Sequence, residues 1–84
     1  MCRSTGIRDD NNNVIYENDI VEILKNRNES LGQGDVLKLN EKWYVAGNIN
    51  EFLLDIDNTY YIKVIENICN YTNVEKQRIR KELK

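Results

Sequence analysis

The chain has 84 residues, 40% of them apolar and 31% charged, with a formal net charge of −2. A single domain of this size buries only about 60–65% of its unfolded surface, so a thin core is expected. No apolar run approaches the ~18 residues of a membrane span, and the N-terminus MCRSTGIRDD lacks an apolar signal core, so a cytoplasmic protein without a membrane partner is expected.

The opening residues TGIRDDNNN are turn chemistry. Asp19 to Leu24 reads as a strand. Asparagine tolerates the left-handed region. The chain has thirteen asparagines, and several are expected to do glycine's work in this way. Residues KNRNESLGQG read as a loop, because Asn, Ser and two glycines leave little to bury. DVLKLNEKWYVAG then reads as a hairpin, with apolar residues at Val36 to Leu39 and Trp43 to Ala46 around an Asn40-Glu41 turn. Trp43 is expected as a core anchor beside Val45, Leu39, Ile20 and Ile62. After a turn at GNINE comes the apolar run Phe52 to Ile56, of open type, and DIDNT as a further turn. YYIKVIENI is the longest strand candidate, with Tyr61, Lys63 and Ile65 on one face and Tyr60, Ile62, Val64 and Glu66 on the other.

The end of the chain differs. Thr72-Asn73-Val74-Glu75 has capping-box spacing, and EKQRIRKELK behind it is rich in helix formers with cations in its later turns. Val74, Ile79 and Leu83 make only a narrow apolar stripe, so the helix is expected to be dispensable for the fold. The expected organisation is a mostly β body over residues 1–73, an SH3-like or partly open β-barrel, followed by a short basic α-helix over 74–84. Charge divides along the same line: seven basic and twelve acidic residues give the body a net of −5, while five basic and two acidic give the tail +3.

Two stretches resemble the YopX family of phage and prophage proteins. Its pattern runs S-T-G-L, a charged turn, then I-Y-E-G-D-I-V, and later E-V-I-G-N-I-Y. Here these read STGIRDDNNNVIYENDIV and IKVIENIC, framing residues 4 to 69. The resemblance implies that Asp10 to Asn13 form the turn of a small hairpin and that Ile15-Tyr16 lead through a second tight turn at Glu17-Asn18 into a strand from Ile20 to Leu24, with Asn18 taking the place of the family's glycine, as left-handed geometry allows. Glu66 also stands where the pattern has glycine, and the basic helix replaces the usual family ending. Longer members carry a segment ahead of the STG motif, and this chain begins almost on it. The resemblance implies a β-rich, barrel-like domain encoded by a mobile element, and it brings no biochemical activity with it.

The chemistry of catalysis is thinly represented. The sequence has no histidine, and Ser4, Ser30 and Cys2 sit in no motif with a base. GQGD at 32–35 has neither the spacing nor the lysine of a phosphate loop. Asp55, Asp57, Thr59 and Glu66 fall at positions 1, 3, 5 and 12 of a calcium-loop count, but Tyr60 occupies the position that demands glycine. Cys2 and Cys69 lack zinc-site spacing, and both are expected to be reduced, with Cys2 exposed and Cys69 a small buried hydrophobe. No enzyme activity, cofactor or metal is therefore expected.

Binding is the remaining class. The leading expectation is an anti-defence inhibitor, such as an anti-CRISPR, whose acidic loops occupy the basic surface of a host nucleic-acid enzyme, a CRISPR effector or other nuclease. Asp9, Asp10, Glu29, Glu51, Asp55 and Asp57 are its candidate contacts. The alternative is a nucleic-acid-binding or replication accessory module using Lys76, Arg78, Arg80 and Lys81, with aromatics such as Trp43, Tyr44, Tyr60, Tyr61 and Tyr71 available for stacking. A monomer and a homodimer remain open.

Overall fold

A computed structural model describes residues 2–68 and 71–82, with the side chains of Arg80 and Glu82 outside that description. The elements in chain order are β1 (Ser4–Arg8), β2 (Val14–Tyr16), β3 (Asp19–Asn26), β4 (Glu29–Leu39), β5 (Lys42–Gly47), β6 (Glu51–Phe52), α1 (Leu53–Thr59), β7 (Tyr61–Asn67) and α2 (Asn73–Glu82). The protein is mostly β. One sheet is the β1–β2 hairpin, and the other has the order β6-β5-β4-β3-β7. Every pairing among the described residues is antiparallel.

Local chemistry accounts for the tight turns. Asn12 and Asn18 have φ of 65° and 70°, and Asn40 and Glu41 have φ of 51° and 65°. Two consecutive positive φ values are what a two-residue type I′ hairpin requires, and this turn sets Val36 opposite Val45. Asn18 also ties elements together: its N–H donates to the Val36 carbonyl at 2.8 Å and its carbonyl accepts from Ile68 N–H at 3.2 Å.

Two expectations fail on non-local grounds. The segment expected as a loop over KNRNESLGQG is mostly strand, since β3 runs to Asn26 and β4 starts at Glu29. Its glycines are sites of close approach rather than turn signals: a Cβ on Gly34 would lie 2.5 Å from Val45 Cγ1. The run Phe52 to Ile56 with the turn DIDNT is instead the helix α1, whose Leu53 and Ile56 are buried and whose Leu54, Asp55 and Asp57 face outward.

The main core joins Ile15, Val21, Ile23, Val36, Val45, Leu53, Ile56 and Ile62. A second cluster of Ile20 and Ile68 packs against Tyr71 and Ile79. Consecutive strand residues point to opposite faces, so the burial of both Ile20 and Val21 shows that β3 is covered on each side at its start. Ile79 is thus α2's contribution to the fold, while Val74 is 75% exposed and Leu83 lies outside the described residues. The capping box forms as expected, with Glu75 N–H donating to Thr72 Oγ1 at 3.2 Å and Thr72 N–H donating to Glu75 Oε1 at 3.1 Å.

Trp43 is not the buried anchor expected of it. It is half-buried at the edge of the main cluster, Leu39 is exposed, and Ile20 belongs to the other cluster. Cys2 is also a correction: it is half-buried and disulfide-bonded rather than exposed and reduced. The sequence's other cysteine, Cys69, lies outside the described residues.

Candidate functional site

Helix α1 contributes side chains to two surface grooves. The first, of about 300 Å³, lies where α1 passes into β7 and is lined by Arg8, Asp9, Asp10, Asp57, Tyr60, Tyr61 and Ile62. Three elements position its side chains. Buried Ile56 anchors α1 and so presents the adjacent Asp57 to solvent. The helix ends when Tyr60 turns extended while its N–H still donates to the Ile56 carbonyl at 2.7 Å. The β1–β2 turn is held against β7 by the Asp10 N–H, which donates to the Ile62 carbonyl at 2.8 Å.

Asp10, Asp57, Tyr60 and Tyr61 are all exposed in this groove. Arg8 also lines the groove, but its Nη1 donates to the Asn12 carbonyl at 3.0 Å and among the described residues it forms no ion pair with these carboxylates. Among the described residues neither Asp10 nor Asp57 is in an ion pair. The groove continues past Tyr61 and Asp10 into a more mixed surface formed by Asn11, Glu22, Leu24, Arg27 and Lys63.

Asp9 is removed from the candidate contacts. It is 7% exposed, and its Oδ1 accepts N–H groups of Asn11 and Asn13 at 3.0 and 2.7 Å while its Oδ2 accepts that of Val64 at 3.0 Å. Burial works to raise its pKa, but the hydrogen bonds from Val64, Asn13 and Asn11 outweigh that effect and hold it below the ordinary value. The carboxylate is a structural acceptor. Nearby Asp19, also buried, behaves oppositely. Desolvation raises its pKa despite donors from the Tyr16 N–H and the Asn67 side chain.

The remaining acidic candidates are dispersed. Glu29 sits on the β3–β4 hairpin and pairs with Lys25 at 3.9 Å. Glu51 is on the edge strand β6. Asp55 faces the second groove instead. The basic candidates all lie on α2, with Lys76 half-buried, Arg78 and Lys81 exposed, and the Arg80 side chain outside the described residues.

The second groove, of about 410 Å³, is lined by Thr5, Ile7, Lys42, Trp43, Phe52, Leu54 and Asp55. Arg3 and Lys38 lie over the Trp43 ring at 5.6 and 5.5 Å, and Lys42 lies over Phe52 at 5.8 Å. Arg3 is also bonded to Glu17 at 3.1 Å, and this contact holds the Glu17 carboxyl below its usual pKa. Sequence reasoning assigned Trp43 to the core and so missed this cluster. The available signal was the alternation in KLNEKW, where a two-residue turn brings Lys38 opposite Trp43.

No group of three or more His, Cys, Asp or Glu side chains able to hold a metal is found among the described residues. Asp55 and Asp57 stand on a helix and Glu66 on a strand, which is not calcium-loop geometry. Among the described residues no helix is long and apolar enough to cross a membrane. Comparison with family models, curated proteins and solved structures finds no match to the chain.

Proposed function

We propose that the protein is a non-enzymatic binding protein whose partner offers a basic protein surface, and that it serves as an anti-defence inhibitor of a host nucleic-acid enzyme such as a CRISPR effector or other nuclease. The observation that carries this reading is the convergence of Asp10, Asp57, Tyr60 and Tyr61 in one groove. Two carboxylates without ion pairs among the described residues, beside two exposed phenol rings, suit an arginine or lysine side chain. The rings attract the cation through their faces, and the carboxylates accept its N–H groups. The resemblance of STGIRDDNNNVIYENDIV to phage YopX proteins supports the mobile-element setting.

The partner so described works in the bacterial cytoplasm, where thiols are kept reduced. The disulfide at Cys2 does not follow from this reading, and a Cys2→Ser variant should bind the same partner. A second reading, nucleic-acid binding, draws on exposed Arg78 and Lys81 of α2. It forecasts affinity for DNA or RNA that falls steeply with salt and disappears with those two side chains.

Capture from a host lysate tests the first reading. Wild-type protein should retain a basic nucleic-acid enzyme in a salt-sensitive manner, and Asp10→Lys/Asp57→Lys should release it, mainly through a slower on-rate. Equal capture by both proteins would remove the acidic groove from the mechanism. A gel-shift panel at low salt tests the second reading.

A further inference from the structure

The Trp43–Phe52 groove is a different kind of surface. Its apolar lining is Ile7, Trp43, Phe52 and Leu54, of which Leu54 is the most exposed, at 60%. A leucine this exposed on the wall of an apolar hollow is a knob adjoining a hole. The β5–β6 ladder stops at Tyr44 opposite Phe52, so Lys42 and Trp43 extend beyond its last pair and β6 does not shield them.

The rim is mixed in sign. Lys42 and Asp55 both line the groove, and among the described residues neither is in an ion pair. Arg3 is balanced by Glu17, which leaves Lys38 as the one further cation near the tryptophan. A site for nucleic acid or for a strongly acidic peptide would present one sign around its edge. The groove lining itself carries one residue of each sign, Lys42 and Asp55, around an apolar centre with an exposed leucine, and that set is complementary to a rotated copy of itself. That is the requirement of a two-fold interface, where the same patch meets itself.

We propose that this groove is the interface of a two-fold homodimer, in which Leu54 of each copy enters the other copy's groove and Lys42 of each copy pairs with the other's Asp55. The proposal uses none of Asp10, Asp57, Tyr60 and Tyr61, so it stands independently of the proposed function.

Sedimentation velocity on the full chain tests it, over concentrations from micromolar to millimolar. Wild-type protein should shift from monomer to dimer within that range. Leu54→Asp, Lys42→Glu and Asp55→Lys should each weaken association at least tenfold while circular dichroism stays native, since all three positions are exposed. The double variant Lys42→Glu/Asp55→Lys should recover dimerisation, because the swapped charges again face each other. Emission from Trp43, the chain's only tryptophan, should shift with concentration in step with sedimentation. A wild-type monomer throughout the range would overturn the proposal, as would a double variant no better than its parents. A monomer whose Trp43 emission responds to an added acidic peptide would assign the groove to another partner and overturn it equally.

Discussion

Asp9 and Val64 are 55 residues apart in the chain, and the carboxylate of one accepts the N–H of the other at 3.0 Å. β7 is an end strand of its sheet, and an unpaired strand edge invites pairing with other chains. Asp9 and Asp10 close that edge, one through its side chain and the other through its N–H to Ile62. The β1–β2 turn thereby joins the two sheets without a continuous ladder. It also delivers the exposed Asp10 to Tyr60 and Tyr61.

Asp9→Ala should destabilise the protein by roughly 1–3 kcal/mol, the usual cost of leaving buried amides unpartnered. The pH dependence has a definite sign. Because the Asp9 pKa is lowered on folding, its contribution is complete above the ordinary aspartate value of about 4 and is lost as pH falls through the folded pKa. Asp19, with a raised pKa, acts in the opposite sense, since its ionised form is the disfavoured one in the fold. Urea melts of wild type and Asp9→Asn at neutral and acid pH check this, and the variant should lose less stability on acidification.

Gly47→Ala should be costly. A Cβ there would sit 2.5 Å from the Gln33 carbonyl oxygen and 2.7 Å from Gly34 Cα. Both are backbone atoms of the paired strand, so neither can rotate away. Overpacking of this kind costs about 1–3 kcal/mol. Gly6→Ala has open space around its Cβ, so any loss there would come only from its φ of 77°. Comparing the two denaturation midpoints separates close approach from backbone conformation.

Breaking the disulfide at Cys2 should also lower stability, by about 2–5 kcal/mol for a small domain. Cys2→Ser and wild type in reducing agent should melt alike, both below the oxidised protein. The N-terminal strand is where loosening is expected, because Arg3, next to Cys2, bonds to Glu17 and covers Trp43. Hydrogen exchange at the Glu17 amide, which donates to the Arg3 carbonyl, reads this directly.

What the sequence made legible follows the range of the interactions. The turn at Asn40-Glu41 and the cap of Thr72 by Glu75 depend on residues within a few positions of each other, and each is readable from the residues alone, whereas the turn at Asn18 is expected only from the family resemblance. The strand role of Gly32 and Gly34 depends on Val45, Asn48 and Ile49 across the sheet, so composition alone pointed to a loop. Asp9 looked like a free loop acid because its partner is Val64. Leu53 to Thr59 was divided between an apolar run and a turn, since a seven-residue helix contains too few periods to declare itself. Among the candidate contacts, Asp10 and Asp57 are brought together by packing, whereas Glu29 and Glu51 are not.

An amide chemical-shift titration with an arginine-rich peptide tests the acidic groove most directly. The perturbed residues should cluster at Asp10, Asp57, Tyr60, Tyr61 and Ile62, and the response should fall away in Asp10→Lys/Asp57→Lys. Shifts spread evenly over Glu29, Glu51 and the other exposed carboxylates, unchanged in the double variant, would contradict a built site for a basic partner.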